Sequence, residues 1–462
     1  MRFGGGGSQP AEMSARKRRK FREVQEYNVH YYSKKRRLVA ETETLTLASR
    51  SQTFDSLPGT SFSKPSHSSS RTRRKHKKHH GRKFSTKDGI RKWIYSSGDL
   101  SSYEDKVILV SYNILGVENA SKHPDLYSNV SPKFLDWNLR KKLLYKEISQ
   151  YCAGIVCLQE VDRFNDLDNL LQKDGFKGVY QARTGDACDG CAIFWKKELF
   201  TLLHQENIEF QRFDLRNNVA QFCVLEMNLK QSNPNLDTQT SQVSLSRRLL
   251  VGNIHVLFNP NRGDIKLGQI RLFLEKAHRL SQEWGNIPVV LAGDLNSIPQ
   301  SALYQFIASS ELDLQELDRR KMSCQICPVE HQGLQFQNSF QRSVSSPRRY
   351  RRNHEELRLA TGAGGGTCLR HNLKLSSAYL GVNGGCGTRD NHGEPLATTY
   401  HSKFMGTVDY IWHTSELVPV KVLDTLPIEV LRKTGGLPSK EWGSDHLALV
   451  CELSFSDDCN AT

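Results

Sequence analysis

The sequence predicts a mixed α/β fold, and three observations carry that prediction. From about residue 105 onward, short apolar runs of strand length recur, several of them ending on a polar or charged residue. Longer stretches between them place apolar residues at helical spacing. The 462-residue chain is 37% hydrophobic, enough for a sizeable core, and no run of about 18 apolar residues suggests a membrane span.

Residues 1–95 read as a disordered basic tail, rich in Ser, Gly, Lys and Arg and poor in apolar periodicity. Residues 1–92 hold 24 Lys and Arg against 7 Asp and Glu, a balance of +17, so the rest of the chain carries −2 of the +15 total. The basic clusters are Arg16-Lys17-Arg18-Arg19-Lys20, Lys34-Lys35-Arg36-Arg37 and the run at 71–78. They are expected to address the chain to the nucleus as well as the cytoplasm, or to attract RNA phosphates. A solvated tail without a specific partner is the alternative. The dense Lys and His run argues against organelle import, and the opening Met-Arg-Phe-Gly-Gly-Gly-Gly-Ser has no apolar core of a secretory signal.

The elements follow in order. Val107–Leu115 reads as a buried strand, and Asp136–Tyr151 as an amphipathic helix with Leu139, Leu143, Leu144 and Ile148 inward and Lys and Arg outward. Ile155–Val161 is a second strand, ending near Glu160, and Phe164–Gln172 a second helix. Asp189–Trp195 opens a strand, the 207–229 region supplies more, and the polar stretch 231–246 reads as a loop. Leu249–Val256 is a strand, and Gly263–Gln282 a long helix with Ile270, Phe273, Leu274 and Ala277 on one face. Pro288–Ala292 is a buried strand that delivers Asp294 and Asn296 to one side of its exit, because positions two apart share a face. A helix over Ser301–Ser309 precedes a break in the pattern at 313–395, read as a long, partly flexible insertion into a single domain spanning 96–462. Thr407–Trp412 and Leu447–Leu453 resume the strands.

The 11 cysteines, scattered among apolar runs, read mostly as reduced, buried thiols of an intracellular protein. The pairs Cys188-x-x-Cys191 and Cys324-x-x-Cys327 lie far apart with no adjoining His pattern, so no zinc site is expected. The glycines at 362–366 and 384–387 follow no strand and precede no Gly-Lys-Ser/Thr, so they match no phosphate loop.

Polar residues with chemical potential recur at strand ends: Asn113, Glu160, His255, Asp294, Asn296, Asp409, Asp445 and His446. Taken singly, each is as readily a turn or strand-end residue. Together they are rich in carboxylates and hold Asn and His but no Ser or Cys nucleophile motif. That set points to Mg²⁺-dependent attack of water on phosphorus, since Mg²⁺ takes oxygen ligands and polarises phosphoryl oxygens.

Five stretches stand in a family order: Ser111-Tyr112-Asn113-Ile114-Leu115, Leu158-Gln159-Glu160-Val161, Asp189–Phe194, Gly293-Asp294-Leu295-Asn296-Ser297 and Ser444-Asp445-His446. The chain thereby resembles the endonuclease/exonuclease/phosphatase superfamily, and within it the Ccr4-type deadenylases and nocturnin, over roughly 105–312 and 396–455. The resemblance implies a DNase I-like four-layer αββα sandwich, with two mostly antiparallel mixed sheets flanked by helices. It implies one or two Mg²⁺ ions held by Glu160 with Asn113 and Asp445. Asp294 would orient or deprotonate the attacking water with help from Asn296; His446 and His255 would contact phosphate, and Asp409 would orient His446. Pro260, five after His255, and Phe404, five before Asp409, fall where deadenylases of the family sandwich an adenine, and Asn296 would reach the base edge.

The expected activity is a 3′→5′ exoribonuclease that shortens poly(A) and releases AMP, with single-stranded RNA as partner. Nocturnin-like hydrolysis of a dinucleotide phosphate, or of cyclic phosphates or 2′,5′-linked oligoadenylate, is the alternative; an inactive RNA-binding adaptor is a third reading. The Ccr4–Not scaffold is a partner the resemblance brings with it, although no leucine-rich repeat for docking on it stands before the catalytic region.

Overall fold

The computed structural model describes residues 91–98, 105–228, 247–315, 317–325, 354–362 and 366–456. The three basic clusters and the loop read over 231–246 lie outside the described residues. Strand β1 (Trp93–Tyr95) precedes β2 (Lys106–Asn113), helices α1 (Val117–Lys122) and α2 (Trp137–Gln150), β3 (Ile155–Gln159), α3 (Phe164–Leu171), β4 (Phe176–Ala182) and β5 (Gly190–Lys196). Next come β6 (Phe200–Glu209), β7 (Val219–Met227), β8 (Arg248–His255), α4 (Gly263–Glu283), β9 (Val289–Asp294) and α5 (Ala302–Ser309). The chain continues through β10 (Glu311–Asp313), α6 (His354–Thr361), β11 (Cys368–Arg370), β12 (Ser376–Ser377), β13 (Thr399–His401) and β14 (Phe404–Gly406). It closes with β15 (Asp409–His413), β16 (Leu417–Leu423), α7 (Ile428–Thr434) and β17 (Leu449–Phe455).

Among the described residues two large sheets form, one in the order β1-β16-β17-β2-β3-β5-β4 and one in the order β12-β15-β9-β8-β7-β6, beside the two-stranded pairs β10-β11 and β13-β14. Each large sheet is antiparallel except for one central pair, β2 with β3 and β8 with β9. Strand alternation explains how the sheets stack. In β2, Val107 and Leu109 join a core shared with Val251, Val290 and Ala292 of the other sheet, while Val110 and Tyr112 join a core with Leu144 and Ile148 of α2. The second sheet turns Ile254, Leu291, Tyr410 and Trp412 toward Ile270, Phe273 and Leu274 of α4. The result is four layers, helix–sheet–sheet–helix, as the resemblance implies.

The same alternation places the chemistry. Asn113 continues the inward set Val107-Leu109-Ser111, His255 continues Leu249-Val251-Asn253, and Asp294 continues Val290-Ala292. All three therefore point into the seam between the sheets, at the end where both parallel pairs finish. Asp409 opens β15 opposite Asp294 in register, and His255 pairs with Asp294 on the other side. One residue back, Gly293 has φ +147°, and a Cβ there would stand 1.9 Å from the Ile254 carbonyl oxygen. Only glycine lets β9 lie this close to β8 just before Asp294.

Several sequence expectations need correction. Trp93–Tyr95 pairs with Leu423–Lys421, so the folded body starts inside the segment read as tail. The segment read as an insertion supplies core: Leu369, Leu373 and Leu375 on the helical side, and Ala378, Tyr379 and Val382 between the sheets. Its apolar residues follow no period, so no strand or helix pattern announced them. Arg140 of α2 is not outward but fully buried. Among the described cysteines, Cys157, Cys191, Cys223 and Cys451 are buried, and Cys152, Cys188, Cys324, Cys368 and Cys386 are exposed.

Candidate active site

An open cleft of about 240 Å³ lies over the strand ends. Glu160, His255, Asp294, Asn296, Asp445 and His446 line it, with Phe258, His401 and Phe404 among the further lining residues. Asn113 and Asp409 lie directly behind that lining. Asn113 is wholly buried, and its Nδ2 donates both to Glu160 Oε1 at 3.1 Å and to Asp294 Oδ2 at 3.1 Å. Its Oδ1 accepts from the Leu115 N–H at 3.1 Å. Asn113 thus bridges the two carboxylates.

Glu160 follows β3 with φ +57°. Its Oε2 accepts from the Gly116 N–H at 3.0 Å and from Asn119 Nδ2 at 2.9 Å. Burial pushes its carboxyl up, but the neighbouring His255 and these donors outweigh it and hold the group below its ordinary range. Burial and the nearby Asp409 raise Asp294, while burial and Glu160 raise Asp445 against the pull of His446.

Asp294 Oδ2 lies 3.6 Å from His255 Nε2 and 3.9 Å from His446 Nε2, and its Oδ1 accepts from the Asn296 N–H at 2.8 Å. His446 Nδ1 is 2.8 Å from Asp409 Oδ2, which also accepts from the Thr398 hydroxyl at 2.5 Å. Burial works against charge on His446, but Asp409 and Asp445 more than offset it, so its pKa stands well above the ordinary histidine value. Asp409 therefore orients this ring and leaves Nε2 on the cleft side. The Tyr127 hydroxyl donates to Asp445 Oδ2 at 2.9 Å.

Pro260 is half-buried and is not among the lining residues; Phe258, two residues earlier, is. The amide of Asn296 is engaged inside the protein, with Nδ2 3.1 Å from His255 Nε2 and 3.0 Å from the Val256 carbonyl. Sequence reasoning missed Asn119, Tyr127 and Thr398, which lie in loops and short elements without a pattern. It also missed the role of Arg140, whose guanidinium donates to the carbonyls of Ile114, Leu115 and Gly443 and ties together two site-bearing loops.

The residues fit a divalent cation. Four carboxylates, Glu160, Asp294, Asp409 and Asp445, converge on one end of the seam, with His255 and His446 beside them. Ligand atoms of Asp294, Asp409 and His446 lie within 4.8 Å of one another. His446 is already paired with Asp409, however, so the oxygen donors for a hard cation are better sought at Glu160 and Asp445. A cation bound there would polarise a phosphoryl oxygen and offset charge on the leaving oxygen.

Clustered carboxylates and histidines in a cleft at the end of a two-sheet sandwich suit a hydrolase of phosphate esters. The sequence matches the Endonuclease/Exonuclease/phosphatase family over residues 110–446, and the chain belongs to that family. Within it the chain falls with the carbon catabolite repressor protein 4 homologs. It is 60% identical to the Arabidopsis thaliana Carbon catabolite repressor protein 4 homolog 5 over 373 residues, 80% of this chain and 81% of that one. It is 49% identical to homolog 3 of the same plant, over 80% of each chain. Among solved structures it resembles ANGEL2, a 2′,3′-cyclic phosphatase, in complex with adenosine-2′,3′-vanadate. That match has TM-score 0.63 and 28% identity, and covers 79% of this chain and 99% of the other.

Proposed function

We propose that the chain is a Mg²⁺-dependent 3′→5′ exoribonuclease that shortens poly(A) and releases AMP. The observation that supports this reading best is the cleft itself. Hydrolytic groups form its floor, and two aromatic side chains, Phe258 and Phe404, stand among its lining residues. A terminal adenosine would stack between or against those rings, and its phosphate would lie over Asp294 and His446, with His255 Nε2 placed 3.6 Å from Asp294 Oδ2 as a proton acceptor beside it. Asp294, raised by burial, takes a proton from water as the oxygen attacks phosphorus. The bond from phosphorus to the 3′ oxygen of the preceding nucleotide breaks, that oxygen takes a proton from solvent water, and Asp294 gives its own back to solvent. His446, held by Asp409, donates from Nε2 to the phosphoryl oxygen as its charge grows. Glu160 and Asp445 would hold Mg²⁺.

A specific observation favours a second reading, hydrolysis of a terminal 2′,3′-cyclic phosphate: the relative solved with adenosine-2′,3′-vanadate acts as a 2′,3′-cyclic phosphatase. Product analysis separates the two. The substrates are 5′-labelled oligo(A), oligo(U) and oligo(A) ending in a 2′,3′-cyclic phosphate, together with a dinucleotide phosphate, each with and without Mg²⁺. A Mg²⁺-dependent ladder of shortened oligo(A) with AMP as product is expected. Opening of the cyclic end without shortening would replace the first reading by the second.

A further inference from the structure

We propose that Lys266 and Gln325 are positioning residues that begin a hydrogen-bond relay through Asn296 and fix which nitrogen of His255 serves as acceptor. The functional consequence rests on the reading above that His255 and Asp294 act in hydrolysis.

Lys266 lies in the first turns of α4 and is wholly buried. Its Nζ is 2.5 Å from the Asn296 carbonyl oxygen and 3.0 Å from Gln325 Oε1. An ammonium only donates, so Gln325 must turn its oxygen toward Lys266. That leaves Gln325 Nε2 facing Asn296 Oδ1, at 2.8 Å. Asn296 must then present its NH₂ on the other side, where it meets the Val256 carbonyl at 3.0 Å and His255 Nε2 at 3.1 Å. A carbonyl oxygen only accepts, so the Asn296 amide is fixed from both ends. His255 Nε2 therefore faces an N–H and accepts, and the ring hydrogen sits on Nδ1. That nitrogen is buried and has no hydrogen-bond partner among the described residues.

The relay also shapes the turn after β9. Asn296 has φ +46°, a conformation that side-chain-bearing residues adopt at a cost, and Lys266 grips its carbonyl there. The Asn296 N–H in turn holds Asp294 Oδ1. One buried lysine thus sets both the carboxylate and the imidazole beside it. Burial pulls the Lys266 ammonium down to about 7 against the opposing attraction of Asp294, which fits a lysine kept inside for its bonds rather than for solvent exposure. Gln325 comes from a separate segment, beyond α5 and β10, and lines the cleft. It couples that segment to the catalytic floor.

The test uses the full chain labelled with ¹⁵N-histidine. Long-range ¹H–¹⁵N spectra report which ring nitrogen of each histidine carries the hydrogen, and the His255 signals are assigned by their loss in His255→Asn. In the wild type, hydrogen on Nδ1 is expected. Gln325→Glu replaces the donor to Asn296 with an acceptor and should shift His255 toward the other tautomer; Lys266→Met should shift it part of the way. On the phosphoester that the wild type hydrolyses, Gln325→Glu should lower kcat about tenfold with little change in KM, the scale typical of outer-shell partners. That loss should vanish when the change is made on an Asn296→Ala background. Gln325→Leu serves as the second variant should the new carboxylate disturb folding. An unchanged His255 tautomer in Gln325→Glu, Gln325→Leu and Lys266→Met chains that melt normally overturns the relay. A shifted tautomer with unchanged kcat upholds the relay and instead removes His255 from the hydrolytic reading.

Discussion

Glu160 sits in left-handed backbone, φ +57°, and two other cleft residues, Leu115 at +58° and Asn296 at +46°, do the same. Each such placement of a non-glycine residue costs about 1–2 kcal/mol, and at Glu160 the carboxylate is held by Gly116, Asn119 and Asn113. Glu160→Gln keeps the volume but turns an NH₂ toward donors and removes a carboxylate that, on the proposed reading, would hold Mg²⁺. A drop of a few degrees in Tm is expected, with a loss of Mg²⁺-dependent turnover of about a hundredfold or more, roughly 2.7 kcal/mol. Turnover within a few-fold of wild type would reduce Glu160 to a strand-end residue. On the proposed reading base recognition would fall to the two cleft phenylalanines, which differ in burial. Phe404 is 7% exposed and Phe258 51%. Phe258→Ala is therefore expected to melt like wild type, while Phe404→Ala melts lower. If both stack on adenine, each loses about 1–3 kcal/mol of recognition, roughly 5–150-fold, on oligo(A) and less on oligo(U). Equal losses on both oligonucleotides by a normally melting Phe258→Ala would take that ring out of the clamp.

The elements show how the segment read as an insertion is fastened. Glu394 in the loop after β12 is 1% exposed and accepts from the hydroxyl of Tyr304 on α5 at 2.8 Å. Burial raises its carboxyl to about 7, against the help of Ser377 and Tyr304. Between the ordinary glutamate value and about 7 the folded chain holds a proton that the unfolded chain has released. Stability from this group is therefore complete at low pH and is lost as pH rises through that window, by at most about 3 kcal/mol. Glu394→Gln should flatten this part of the stability profile, measured by urea unfolding at a series of pH values; an unchanged slope would assign it to other groups. None of this was legible in the sequence, because a carboxylate in a Gly-rich stretch looks solvated until the tertiary fold buries it. The strands written as continuous apolar runs, β2, β3, β8 and β9, were legible to within a residue or two. The structure brings Asn113, Glu160, His255, Asp294, Asp409 and His446 together at one end of the seam, and all but His446 were legible as polar residues at the end of an apolar run or strand. The short strand β1, the weakly apolar β4 and the Pro-containing β16 were missed, since their patterns depend on neighbours in the sheet. Asn119, Tyr127, Lys266 and Gln325 were illegible for the same reason: each acts on the site across a long sequence separation.

At the scale of the whole molecule, charge and fold divide at different places. The +17 balance ends near residue 92, but the folded body begins no later than Arg91. That guanidinium donates to the carbonyls of Ala448 at 2.6 Å and Asp424 at 2.8 Å, and lies 3.5 Å from the buried Glu147 on α2. Tyr112 and Tyr151 donate to the same carboxylate, at 2.9 and 2.6 Å. Removing one partner of a buried ion pair leaves an uncompensated charge, which costs about 3–5 kcal/mol; the two tyrosines keep this case toward the lower end. A cut after Gly81 and a cut after Tyr95 should therefore behave differently. The shorter deletion removes all three basic clusters and keeps Arg91 and β1. We propose that it leaves melting and turnover on short oligo(A) near wild type, while it lowers nuclear accumulation or flattens the salt dependence of binding to long RNA. The longer deletion also strips the strand paired with Leu423–Lys421 and unpairs Glu147. It should lower Tm by several degrees, and Arg91→Met in the full chain should reproduce most of that drop without touching RNA binding. A chain cut after Tyr95 that melts like wild type would show that Arg91 and β1 carry no stability, and the domain boundary would return to the place where the charge changes.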